Sequence, residues 1–193
     1  MALSLIRPTL SASWYTYLMN YRRNRVAGGT YFFTVNLLNR NADFLIKHID
    51  DLRNAIRVTR EKHPFHIDAW VVLPEHMHCI WTLPDGDADY SRRWQILKKH
   101  FSKALPKMEY RSKTRLKNNE RGIWQRRFWE HTIRDDVDYA QHMDYIHYNP
   151  VKHGYVGNVK EWPHSTFHRL VETGVYPSNW GEDVDILDVG ERS

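Results

Sequence analysis

An α+β fold built on an antiparallel sheet is predicted for this 193-residue chain by three observations. Short runs rich in aromatic and β-branched residues alternate with stretches whose apolar residues recur at helical spacing. Two of the strand-like runs follow one another directly, broken only by Pro74-Glu75. Glycines, prolines and acidic pairs fall at the ends of these runs, where turns and helix termini need them.

Gly28-Gly29 breaks the chain before the first strand, Thr30 to Leu38. From Asp43 to Lys62 apolar residues stand at 45, 46, 49, 52, 56 and 58, which predicts a helix stopped by Pro64. Ile67 to Leu73 and His76 to Leu83 read as two strands, and Pro84-Asp85-Gly86-Asp87 as a turn. A basic helix is expected from about Ser91 to Leu105, then a polar, lysine-rich, mobile loop from Pro106 to Arg121. Ile123 to Ile133 is predicted to be the next strand. Asp135-Asp136 starts the last helix, acids being favoured at the positive end of the helix dipole. Pro150 is expected to end that helix at about Tyr148. The first six elements give the order βαββαβ, hence a ferredoxin-like antiparallel sheet with helices on one face, followed by a C-terminal helix and tail.

One domain spanning residues 21–160 is expected, with a peripheral extension at 1–20 and an acidic tail at 161–193. Met19 offers a second start, which would leave the first 18 residues untranslated. No apolar stretch reaches the roughly 18 to 20 residues of a membrane span, and the N-terminus lacks the compact apolar core of a secretory signal. A cytoplasmic setting is therefore expected. The single cysteine, Cys79, excludes an internal disulfide framework and a cysteine-rich zinc site.

Charge is distributed unevenly. Residues 92–127 carry thirteen Lys or Arg against two acids, a net of +11, whereas residues 161–193 carry a net of −5. The dense positive segment points to a polyanionic partner. Opposite local charges also suggest that the tail covers the basic face when that partner is absent.

The chemistry converges on His76-Met77-His78. Alternation along a strand turns both imidazoles to one face and Met77 to the other. Neutral imidazoles on one face can share a metal ion. Glu75 offers a further metal or water contact, or serves as a turn residue. On the last helix, spacings of three and four put His142, Tyr145 and Asn149 on one stripe. The amide oxygen of Asn149 is a hard ligand suited to Mg²⁺ or Mn²⁺, and Tyr145 would lie beside a metal-bound phosphate. A phenol near pKa 10 needs activation before it attacks phosphorus. Tyr139 and Tyr148 compete as nucleophiles, but Tyr148 adjoins Asn149 and should point off the stripe.

Residues 69–81 (Ala-Trp-Val-Val-Leu-Pro-Glu-His-Met-His-Cys-Ile-Trp) and 144–154 (Asp-Tyr-Ile-His-Tyr-Asn-Pro-Val-Lys-His-Gly) closely resemble REP-associated tyrosine transposases, members of the HUH single-strand transposase superfamily. Residues 28–36, 124–131 and 162–167 extend the resemblance in the same order from about Tyr21 onward. It implies metal ligation by His76, His78 and Asn149, nucleophilic attack by Tyr145, and a 5′-phosphotyrosine intermediate with a free 3′-hydroxyl. It implies as substrate the repetitive extragenic palindrome (REP), a short DNA hairpin with a flanking guide tetranucleotide, cut as a single strand. It also implies a monomer, nucleoid-associated and domesticated rather than autonomously mobile. Arg22, Arg23, Arg25, Lys98, Lys99, Lys103, Arg126 and Arg127 are the expected phosphate contacts. Two other readings stand beside this one: a non-catalytic, repressor-like binder of hairpin DNA or RNA, and an RNA-binding module whose histidine pair is incidental.

Overall fold

The structure is a computed structural model and describes residues 23–107 and 109–182. The predicted extension at 1–20, Arg22 and the end of the acidic tail lie outside the described residues. Four strands, β1 (Thr30–Asn36), β2 (His66–Val72), β3 (His76–Thr82) and β4 (Trp129–Thr132), form one antiparallel sheet in the order β2-β3-β1-β4. With the intervening helices this is the ferredoxin-like arrangement expected from the βαββαβ order. Strand alternation gives the sheet two differently used faces.

One face carries Tyr31, Phe33, Val35, Trp70, Met77, Cys79 and Trp81, all buried. It is covered by α2 (Ile49–Lys62) and α3 (Tyr90–Ala104). The ring of Trp81 stacks on that of Trp94 at 4.1 Å and 16°. Trp70, Trp81, Trp94 and Trp124 are all buried in this core. The other face carries Phe32, Thr34, Ala69, Val71, His76, His78 and Ile80. Helix α5 (Asp136–Lys152) lies across β2 and β3 on this side, and the chain beyond it adds Val159, Phe167 and Tyr176 to the same core. The indole of Trp162 donates to the carbonyl of Val72, and Ser165 bridges to Val71, which covers the outer edge of β2.

Four expectations need correction. The first predicted helix is broken at His48 into α1 (Phe44–Lys47) and α2. The predicted strand from Ile123 to Ile133 is regular only over β4, with Trp124 making one isolated bridge to Leu37. The lysine-rich segment is held rather than loose: α4 (Lys113–Lys117) lies within it. Arg121 also donates to the carbonyls of Ser102, Leu105 and Pro106 and to the Glu109 carboxylate.

The last correction bears on function. Helix α5 does not end at Tyr148 but continues through Pro150 to Lys152. A proline in the final turn forgoes only the bond that its N–H would have made to the carbonyl of residue 146. Gly154, at φ +70°, then closes the helix, with Gly154 N–H donating to Val151 and Tyr155 N–H to Pro150. That is the glycine-terminated Schellman stop, placed four residues beyond the proline.

Candidate active site

The β1–β3 register places Thr34 opposite His78 and Asn36 opposite His76. Both histidines are fully buried. Thr34 Oγ1 lies 2.9 Å from His78 Nδ1, a bond that cross-strand pairing makes inevitable once the register is set. The bend at Pro74-Glu75 returns the Glu75 carboxylate to within 2.7 Å of His76 Nδ1. An ionised carboxylate only accepts, so His76 Nδ1 is the donor in this bond. Glu75 also accepts from Tyr155 and pairs with Arg40. Burial pushes its carboxyl up, but His76 and Arg40 outweigh that and hold it below the usual glutamate range. Burial, then the neighbouring His76 and His153, hold His78 well below the ordinary imidazole value. Neutral imidazole is the ligating form.

From the opposite side α5 presents His142, Tyr145 and Asn149 as one buried stripe, as their spacing predicts. The ring of Tyr145 meets His78 edge-on at 5.3 Å and Phe32 at 6.0 Å. Tyr148 is only partly buried, off the stripe. Tyr139 is engaged elsewhere: its hydroxyl donates to Asp68, and burial followed by that carboxylate raises it to about 12. Asn149 is fully buried, and among the described residues neither its Oδ1 nor its Nδ2 has a hydrogen-bond partner. Burying an unsatisfied amide costs roughly 1–3 kcal/mol, so this side chain fits a ligand such as a hard cation.

Two histidine groups compete for a metal, and ring geometry separates them. His76 and His78 stand 4.9 Å apart with ring planes crossing at 83°. In-plane lone pairs of crossed rings can meet on one ion. The second group, His131, Asp138 and His142, has potential ligand atoms all within 4.8 Å of one another. There the two imidazoles are stacked at 12°, so their in-plane lone pairs do not converge. Its carboxylate is also already used: Asp138 accepts from His131 Nε2, from the Arg134 backbone N–H and from Arg134 Nε. Burial alone would raise the Asp138 carboxyl, but the bonds from His131 and Arg134 outweigh it and hold it at about 2. This second group is a hydrogen-bonded clamp between β4 and the first turns of α5.

The basic residues gather about a groove of about 940 Å³ between α3 and the segment leading into β4, ten of whose lining residues are Lys or Arg against two acids. Its position beside α3 puts it away from the sheet face that holds His76 and His78. Lys99, Lys103 and Arg126 are exposed there, although Arg126 pairs with Glu120. Arg127 is exposed but outside the lining. Arg23 lies over the Phe128 ring and bonds to Ser91, and Arg25 pairs with Asp89. Lys98 is turned inward, donating to the Gln125 carbonyl near Trp124 and Phe128; burial, then Arg23, lowers it to about 8.

Sequence reasoning missed Thr34, Phe32, Lys152 and His153. The first two are set by register, and the last two by the helix running past Pro150. The Gly154 stop was the one local signal that could have found Lys152 and His153.

No family model matches the chain. A REP-associated tyrosine transposase of Escherichia coli K12 is 53% identical over 175 residues, covering 91% of this chain and 98% of the relative. A relative from Haemophilus influenzae is 49% identical over 176 residues, covering 90% of this chain and 99% of its own. A solved structure of a REP-associated tyrosine transposase bound to a REP hairpin matches at TM-score 0.77 and 50% identity, over 90% of this chain and 98% of that one.

Proposed function

We propose that this chain, which belongs to the REP-associated tyrosine transposases, cuts and transfers single-stranded DNA at REP-type hairpins through Tyr145. The reading is carried by one observation: Tyr145 stands on the stripe that faces a pair of buried, crossed histidines, next to an amide with no hydrogen-bond partner among the described residues. Tyr145 Oη attacks the phosphorus, the new Oη–P bond forms and the P–O3′ bond breaks. The products are a 5′-phosphotyrosine and a strand ending in a 3′-hydroxyl. Phosphodiester energy is conserved in that bond, so the DNA can be rejoined. All four groups are buried.

His76, His78 and Asn149 would hold Mg²⁺ or Mn²⁺, which when bound supplies charge neutralisation at the phosphoryl oxygens. Glu75 and Thr34 orient the two imidazoles, the supporting role such partners take around metal-binding histidines. The basic groove would take the phosphates of the hairpin, the ligand of the related solved structure.

The test is incubation of labelled single-stranded hairpin DNA with Mg²⁺ or Mn²⁺. A covalent protein–DNA adduct is expected, lost in Tyr145→Phe, with cutting lost in His76→Ala. Binding without cutting across several hairpins would overturn the reading in favour of a non-catalytic binder.

A further inference from the structure

We infer that Lys152 is a further catalytic residue, stabilising the charge that builds as Tyr145 attacks; this rests on Tyr145 being the nucleophile. The course of α5 carries the inference. Because the helix continues through Pro150, Lys152 comes seven residues after Tyr145, close to two full turns, and so returns to the same side. Its Nζ stands 4.9 Å from the centroid of the Tyr145 ring. The His78 ring stands 5.3 Å from the same phenol, so the histidine pair and a cation both stand close to this tyrosine. The helix stop at Gly154 anchors the backbone under Lys152. The side chain itself is exposed.

In the step at issue the Oη–P bond forms and the P–O3′ bond breaks. The phenolic proton passes to solvent water, and the departing 3′-oxygen takes a proton from water. Negative charge therefore grows between Oη and the phosphoryl oxygens while the proton is leaving. A positive charge beside the phenol favours that arrangement over the neutral phenol. Lys152 gives up no proton in this role. A lysine that merely grips the DNA backbone would hold ground state and transition state alike, changing affinity but not the rate from the bound complex.

Single-turnover adduct formation on saturating hairpin DNA separates the two roles. Lys152→Gln is expected to slow adduct formation on the order of tenfold, with hairpin affinity within about twofold and an unchanged melting temperature. Lys152→Arg, which keeps the charge, is expected to restore most of the rate. A Lys152→Gln rate within about twofold of the unaltered chain would overturn the inference. So would a rate loss matched by an equal affinity loss, or a Lys152→Arg variant as slow as Lys152→Gln. An unaltered chain that forms no adduct would remove the nucleophile reading itself. An unaltered chain that does, with Lys152→Gln equally active, would remove only the role of Lys152.

Discussion

Replacing Asp138 by Asn tests the clamp that seats the helix carrying Tyr145. Asp138 is buried in the first turn of α5 and accepts from His131 Nε2 at 2.8 Å, from the Arg134 N–H at 3.0 Å and from Arg134 Nε at 3.1 Å. Asparagine keeps the shape and one acceptor oxygen, but removes the charge that strengthens all three bonds and favours the helix N-terminus. The carboxyl is held at about 2 against an ordinary 3.8, a gap on the order of 2 kcal/mol of folding stability at neutral pH. Because the folded value is depressed, this stabilisation is complete above about pH 4 and is lost as pH falls toward 2. Urea denaturation should therefore find Asp138→Asn about 2 kcal/mol less stable than the parent at pH 7, and the two curves should converge near pH 2. A deficit below about 0.5 kcal/mol at pH 7, or one that persists undiminished at pH 2, would refute the clamp. Since α5 carries Tyr145 and Asn149, adduct formation should fall in the same variant, further than the unfolded fraction alone accounts for.

Two further outcomes are expected. Glu75→Gln replaces a charged acceptor by a neutral one at His76 Nδ1, so Mn²⁺ affinity measured by calorimetry should weaken roughly tenfold, within the range typical of such supporting partners; an unchanged affinity would detach Glu75 from the metal site. Lys99→Glu and Lys103→Glu, both exposed on the groove, should each lower the salt dependence of hairpin binding by about one unit of slope, and binding whose slope does not move would place the hairpin elsewhere.

Most of the site was legible from the chain because its spacings are those of regular elements. His76 and His78 share a strand face, and Tyr145 and Asn149 share a helix stripe, and both geometries hold in the structure. The last helix was misjudged because Pro150 was taken as a stop when the decisive signal was Gly154, whose positive φ ends the helix. The break at His48 and the short β4 have no comparable local mark. Charge density singled out the segment around α3, but could not show that Lys98 turns inward while Lys99 and Lys103 face out.

What the chain alone determined was periodicity: which residues share a face, where turns fall, and which side chains could carry phosphodiester chemistry. These follow from steric and hydrophobic preferences acting over a few neighbouring residues. Only the tertiary structure decided that Thr34 holds His78, that Phe32 packs between His78, His142 and Tyr145, and that Asn149 is buried with no hydrogen-bond partner among the described residues. Those contacts join residues tens to more than a hundred positions apart. They depend on strand register and on how a helix is seated across a sheet, and a one-residue slip of β1 would send Phe32 and Thr34 to the other face.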